Sequence, residues 1–134
     1  MRIIVCLDER DGMLFNKRRQ SSDIRVTQKI LDIASAKPIW MNKYSAYLFA
    51  ELHGNIRIAE NFLELAPNDE YCFVEDMDVS PYLPMVEELV IFRWNRMYPS
   101  DLRLPELPEK LNKISSEDFQ GNSHERITME VYRL

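Results

Sequence analysis

The chain has 134 residues, 46% of them hydrophobic and 29% charged, with three Gly and seven Pro. That length sets the expectation of one domain over residues 1–134, able to bury a core without disulfide or metal staples, and the composition excludes collagen-like and disordered chains. Twenty-two acidic against seventeen basic residues give a net charge of −5, which argues against nucleic acid as a partner.

Cys6 and Cys72 lie in the apolar runs IIVCL and YCFVE, the setting of reduced core thiols in a cytoplasmic protein. No apolar run approaches the ~20 residues of a membrane-spanning helix, so no membrane association is expected. Met1 leads straight into RIIVCL, without the pattern of a secretory leader.

Ile3 to Leu7 is rich in β-branched residues and predicts a strand buried on both faces. Asp8 to Gly12 breaks it, with Gly12 suited to a positive φ. MLFNKRRQSS then reads as a loop with a basic centre. Ser21 or Ser22 is placed to cap a helix over Asp23–Ser35, whose core face carries Ile24, Thr27, Ile30, Leu31 and Ala34. Pro38 opens a second strand, Ile39–Met41. Asn42 and Lys43 predict a turn, and Ser45 a cap for a helix running to His53. Ile56–Ile58 reads as a third strand, Phe62–Ala66 as a short helical segment, and Tyr71–Val74 as a fourth, buried strand. Pro84 is tolerated in the first turn of a short helix near Tyr82–Val86.

From Leu89 the pattern changes to successive strands. Leu89–Trp94 is followed by an extended Leu102–Leu104, then by Leu111–Ile114 and the alternating Ile127–Tyr132. Strand–helix alternation followed by strands predicts an α/β fold: a mostly parallel central sheet flanked by helices, with a C-terminal antiparallel hairpin.

This order of elements, together with four local phrases, resembles dihydrofolate reductase. MRIIVCLDERDGMLF is similar to the family's first strand and its Gly-Met loop. KPIWMNKYSAYLF is similar to the segment where the second strand passes into a helix over the cofactor phosphates. LPMVEELVIFRWNRMYPSDLRLPEL and NSHERITMEVYRL are similar to the late strand and to the closing hairpin. The resemblance implies a dihydrofolate reductase-like fold. It also implies that Asp23 occupies the place of the carboxylate that holds the pterin ring, and that Asp101 and Asn122-Ser123-His124 hold the mobile loop. The residues themselves leave a second reading open: Asp23 complements a helix N-terminus, worth about 0.3–1 kcal/mol, and the others are turn formers.

Departures from the family pattern point away from an NADPH-dependent folate reductase. Glu75 and Asp76 stand where the family has glycines beside the dinucleotide phosphates, so carboxylates replace close backbone approach. The other phosphate-facing turn reads Asn42-Lys43-Tyr44-Ser45. The segment from Met41 to Tyr71 is too short for the family's extra strand, and Phe92 replaces a threonine that partners the pterin-binding carboxylate. No cofactor is therefore expected. A metal centre is not expected either: with only His53 and His124, the chain lacks the histidine cluster of a ribonuclease Z-type hydrolase.

The candidate ligand site is a cleft with Asp23 at its base, the basic run Lys17, Arg18 and Arg19 at its rim, and Tyr44, Ser45 and Phe92 around it. Cations over a carboxylate would select a small ligand with a hydrogen-bonding ring and an anionic tail. Arg93 is a candidate partner for Asp23 or Glu75. Three functions follow: a small-molecule binding or regulatory module, a divergent enzyme using the same cleft, or an interaction piece such as a homodimer paired through a sheet edge.

Overall fold

A computed structural model describes residues 1–134. In chain order the elements begin β1 (Arg2–Leu7), β2 (Gly12–Phe15), β3 (Arg18–Arg19), α1 (Ile24–Ala34), β4 (Ile39–Met41) and α2 (Lys43–Ala46). They continue β5 (Ile56–Ile58), α3 (Phe62–Leu65), β6 (Tyr71–Phe73), β7 (Glu88–Arg93), β8 (Leu102–Arg103), β9 (Asn112–Phe119) and β10 (Ile127–Arg133). No helix is long and apolar enough to cross a membrane.

The main sheet has seven strands in the order β5-β4-β6-β1-β7-β10-β9. β1 pairs in parallel with β6 and β7, and β4 with β5 and β6, while β10 runs antiparallel to β7 and β9. This is the parallel sheet with a closing antiparallel hairpin that the pattern predicts. Successive side chains point to opposite faces and both faces are covered, so the central strands are apolar throughout. Ile3, Val5, Leu7, Cys72, Val74, Leu89 and Ile91 enter one core cluster. Ile4, Tyr71, Phe73, Val90, Phe92 and Trp94 enter the other, which α1 covers with Val26, Ile30 and Ala34.

Several local expectations are corrected. MLFNKRRQSS is not a loop: β2 and β3 form a hairpin, and β8 completes a second, three-stranded sheet. Met13 and Leu14 drive this, since both are buried in the first cluster. The positive φ before the hairpin belongs to Asp11 (62°), not Gly12. Helix α1 is capped by Asp23, whose carboxylate accepts from the Arg25 N–H, rather than by Ser21 or Ser22. Asn42 likewise caps α2 in place of Ser45 and accepts from the Ser45 N–H; that helix ends at Ala46 and passes into a 3-10 turn, Tyr47–Phe49. The strand expected at Leu111–Ile114 extends over Asn112–Phe119 and forms an edge. A register irregularity against β10 and the charges of Lys113, Glu117 and Asp118 blunt that edge.

Arg93 pairs with neither Asp23 nor Glu75. Alternation turns it away from α1, and it meets Glu130 at 2.7 Å and Asp11 at 2.9 Å.

The second sheet is fastened to the first by Asp8, which is fully buried at the end of β1. Its carboxylate accepts from the N–H groups of Arg10, Gly12 and Tyr98 and from the Gln20 amide. Burial pushes this carboxyl up, but those donors outweigh it and hold the group below the ordinary aspartate range.

The tip of the β2–β3 hairpin places Asn16 and Lys17 at φ 50° and 61°, the left-handed pair that a two-residue hairpin turn requires. Lysine there carries a steric cost that glycine avoids. Lys17→Gly is therefore expected to stabilise the protein by roughly 0.5–1 kcal/mol, read as a higher midpoint in thermal unfolding; an unchanged or lower midpoint contradicts it.

Candidate functional site

The C-terminal ends of the parallel strands bring together the start of α1, the turn after β4, the end of β6 and the β9–β10 connection. Asp23 lies at their junction with its side chain fully buried. One oxygen accepts from the N–H groups of Arg25 and Asn122, each at 2.9 Å. The other accepts from the Ser123 N–H at 2.9 Å, the Ser123 hydroxyl at 3.2 Å and His124 Nδ1 at 2.9 Å. Burial raises the carboxyl's proton affinity, but the donors from Asn122, His124, Ser123 and Arg25 overcome it and hold the group far below the usual carboxylate range. Asp23 is thus ionised, with both oxygens occupied by the chain itself.

An ionised carboxylate at Nδ1 requires the imidazole proton on that nitrogen, so in the neutral ring Nε2 is the acceptor. Ser21 Oγ lies 2.9 Å from Nε2. Trp94 stacks on the imidazole at 4.7 Å between centroids and fixes its plane.

A second cluster surrounds Glu75, buried at the end of β6. Arg19 donates to it from Nε at 2.9 Å and from the terminal nitrogen at 3.1 Å, and Ser45 Oγ donates at 2.8 Å. The Arg19 guanidinium lies over the Tyr44 ring, and the Tyr44 hydroxyl accepts from the Arg19 N–H. Beside it, the Asn42 amide donates to Asp76 at 2.8 Å. The turns at Asn42–Ser45 and Glu75–Asp76 are therefore joined by direct side-chain bonds.

Between the two clusters remains a cavity of about 10 Å³, lined by Cys6, Ser21, Asp23, Thr27, Phe73, Glu75 and Trp94 among others. That is the space of a single water. Burial, with Glu75 adding to it, pushes the Cys6 thiol well up.

The structure brings Arg19, Tyr44 and Ser45 together around Glu75, but not over Asp23. Lys17 and Arg18 sit outward on the hairpin. Phe92 is fully buried, edge-to-face with Phe119, and does not line the small cavity beside Asp23. Arg18 instead borders a groove of about 220 Å³ with Phe15, Asn16, Arg19, Gln20, Tyr98 and Pro99. Asp101, from the β8 side, accepts from the Asn16 N–H at the hairpin tip.

Sequence reasoning misses three participants. His124 reads as an exposed turn residue because nothing local shows that Asp23 and Trp94 enclose it. Ser21 reads, with Ser22, as one of two candidate helix caps. Trp94 follows a strand and reads as core. The available signal is the Asn122-Ser123-His124 phrase, which the resemblance already connects to the hairpin region.

No protein-family model matches the sequence, and no curated protein sequence matches it. Solved structures do match in shape. Dihydrofolate reductase from Enterococcus faecalis, complexed with NADP(H) and RAB-propyl, is similar to this chain at a TM-score of 0.70 and 8% identity. The match covers 98% of this chain and 94% of that one. The chain therefore has a dihydrofolate reductase-like fold, as its sequence pattern and local phrases imply.

The turn around Asp23 depends on Gly121. A Cβ there would lie 2.6 Å from the Asp23 carboxylate, 2.8 Å from Ile127 and 2.9 Å from the His124 carbonyl. Gly121→Ala should cost about 2 kcal/mol, and Asp23→Asn, which sets an NH₂ group against N–H donors, about 3 kcal/mol. Because the folded carboxyl titrates below its unfolded range, its stabilisation is complete above about pH 4 and declines as the pH falls further. Chemical denaturation from about pH 7 to about pH 2.5 should show the wild-type–Asn difference shrinking; a constant difference would place the loss elsewhere.

Proposed function

We propose that this chain is a small-molecule binding module on a dihydrofolate reductase-like fold that takes no NADPH and does not reduce folate. The observation carrying this reading is the pair of bonds joining the two phosphate-facing turns, Asn42 to Asp76 and Ser45 to Glu75. The resemblance implies that in the family both turns face the cofactor phosphates. Here a pyrophosphate would have to break both bonds and enter beside two carboxylates. Coulomb repulsion and lost hydrogen bonds oppose it together. The residues present do not fit the group.

The ligand position that the side chains support best is the groove on the hairpin. Phe15 is about half exposed there, and Tyr98 and Pro99 supply further apolar wall. Arg18 lines it without a carboxylate partner, whereas Arg19 is committed to Glu75. A planar molecule bearing a carboxylate, sulfonate or phosphate would stack on the aromatic wall and engage the free guanidinium. Lys17, exposed at the hairpin tip, adds charge at the rim.

Two titrations test the reading. Calorimetry with NADPH should give only heats of dilution; micromolar affinity would overturn the exclusion of the dinucleotide. Naphthalene sulfonate, followed by amide NMR, should shift Phe15–Gln20 and Tyr98 and weaken as salt rises. Arg18→Gln should lower that affinity about tenfold, the weight of one charge-assisted contact. Shifts confined to other parts of the surface would remove the groove from consideration.

A further inference from the structure

The chain Ser21–His124–Asp23 has a geometry that the binding reading does not use. Ser21 Oγ is 2.9 Å from His124 Nε2, and His124 Nδ1 is 2.9 Å from Asp23 Oδ2. Asp23 is fully buried, ionised and hydrogen-bonded by backbone, so the imidazole is held in the tautomer that accepts at Nε2. Trp94 on the ring face prevents the imidazole from turning away. Ser21 itself is only half-buried and borders the small cavity between α1 and β6. A nucleophile, a base and a group that orients the base are therefore in register, and the nucleophile is the outermost of the three.

A fourth feature stands beside them. The backbone N–H groups of Ser22 and Asp23 donate to no acceptor within the protein, although they immediately follow Ser21. Free amides next to an activated hydroxyl are the donors that a tetrahedral oxyanion needs. The cavity beyond Ser21 has apolar walls in Val26, Phe73 and Trp94 but holds no more than a water-sized group. That excludes a long acyl chain.

We propose that Ser21 is an activated nucleophile for acyl transfer from short-chain esters, with His124 as its general base and Asp23 as the positioning residue. In the first step the Ser21 Oγ–acyl bond forms and the ester C–O bond breaks. The hydroxyl proton passes to His124 Nε2 and from there to the departing alcohol. Water then gives its proton to Nε2 and adds to the acyl carbon, the acid departs, and Ser21 Oγ regains the proton. The sum is ester plus water to acid plus alcohol, with no change of oxidation state. This site is separate from the hairpin groove, so either assignment can fail without the other.

The test uses two probes on the intact chain. A fluorophosphonate should add one phosphonyl group per chain, with loss of fluoride, and peptide mass mapping should place it on Ser21. p-Nitrophenyl acetate should release nitrophenolate at least about 100-fold faster than from Ser21→Ala, the low end of what a positioned base contributes. His124→Gln should lose the same factor while Ser21 remains. Since that variant also removes a buried contact, Ser21→Cys supplies a second reading that keeps His124, Asp23 and Trp94 in place. Its new thiol should react with iodoacetamide at least about tenfold faster than glutathione does, because a base beside a thiol raises its thiolate fraction. Label on other residues, equal nitrophenolate release from Ser21→Ala, or a Ser21→Cys thiol no faster than glutathione would each overturn the proposal.

Discussion

The fold at the working end of this molecule depends on one carboxylate. Asp23 receives donors from Arg25 in its own helix and from Asn122, Ser123 and His124, about a hundred residues later in the chain. It thereby fixes the N-terminus of α1 against the β9–β10 connection, and through His124 and Trp94 against the end of β7. A charge buried in this way is stable only when its lone pairs are filled, and backbone N–H groups fill them without introducing a second charge to desolvate. Gly121 is the covalent counterpart of that arrangement. The turn approaches Asp23 so closely that no side chain fits.

The same logic recurs with different partners around the sheet. Asp8 is satisfied mainly by backbone and holds the second sheet. Glu75 takes Arg19 and Ser45; Glu130 takes Arg93 and Lys113; Glu88 takes Arg133 and the Tyr71 hydroxyl. Removing the cation from such a pair leaves a buried carboxylate short of a partner, which costs more than the pair contributes. Ends of parallel strands that could open onto a ligand are here joined by the chain's own ions.

Continuous apolar runs make the sheet legible in the sequence. Ile3–Leu7, Tyr71–Val74 and Leu89–Trp94 are buried on both faces, so their composition carries the parallel arrangement without help from distant residues. The hairpin β2–β3 is not legible in the same way. Its turn is Asn-Lys rather than a glycine pair, and its strands are held by Asp8 and Leu104 from elsewhere. The cap of α1 shifts by one or two positions, from Ser21 or Ser22 to Asp23, where the approach of Asn122 and Ser123 decides, and that of α2 shifts by three, from Ser45 to Asn42. Arg93 is half legible: alternation places it opposite Phe92, and that placement already removes Asp23 from its reach.

The candidate site is legible as a location more than as a chemistry. Glu75 and Asp76 stand out in the sequence as carboxylates where glycines belong, and the resemblance alone casts them as repulsive to phosphate. In the fold they are also attractive, drawing Arg19, Ser45 and Asn42 into the space between the turns. Once Glu75 holds Arg19, the hairpin is pinned over the cleft and Arg18 alone of the two arginines faces outward without a partner. Asn122 and Ser123 hold Asp23, whose carboxylate also meets His124 Nδ1. Glu75 and Asp23 thus redistribute the remaining polar groups. They leave a free cation on one side of the hairpin and a hydrogen-bonded serine on the other.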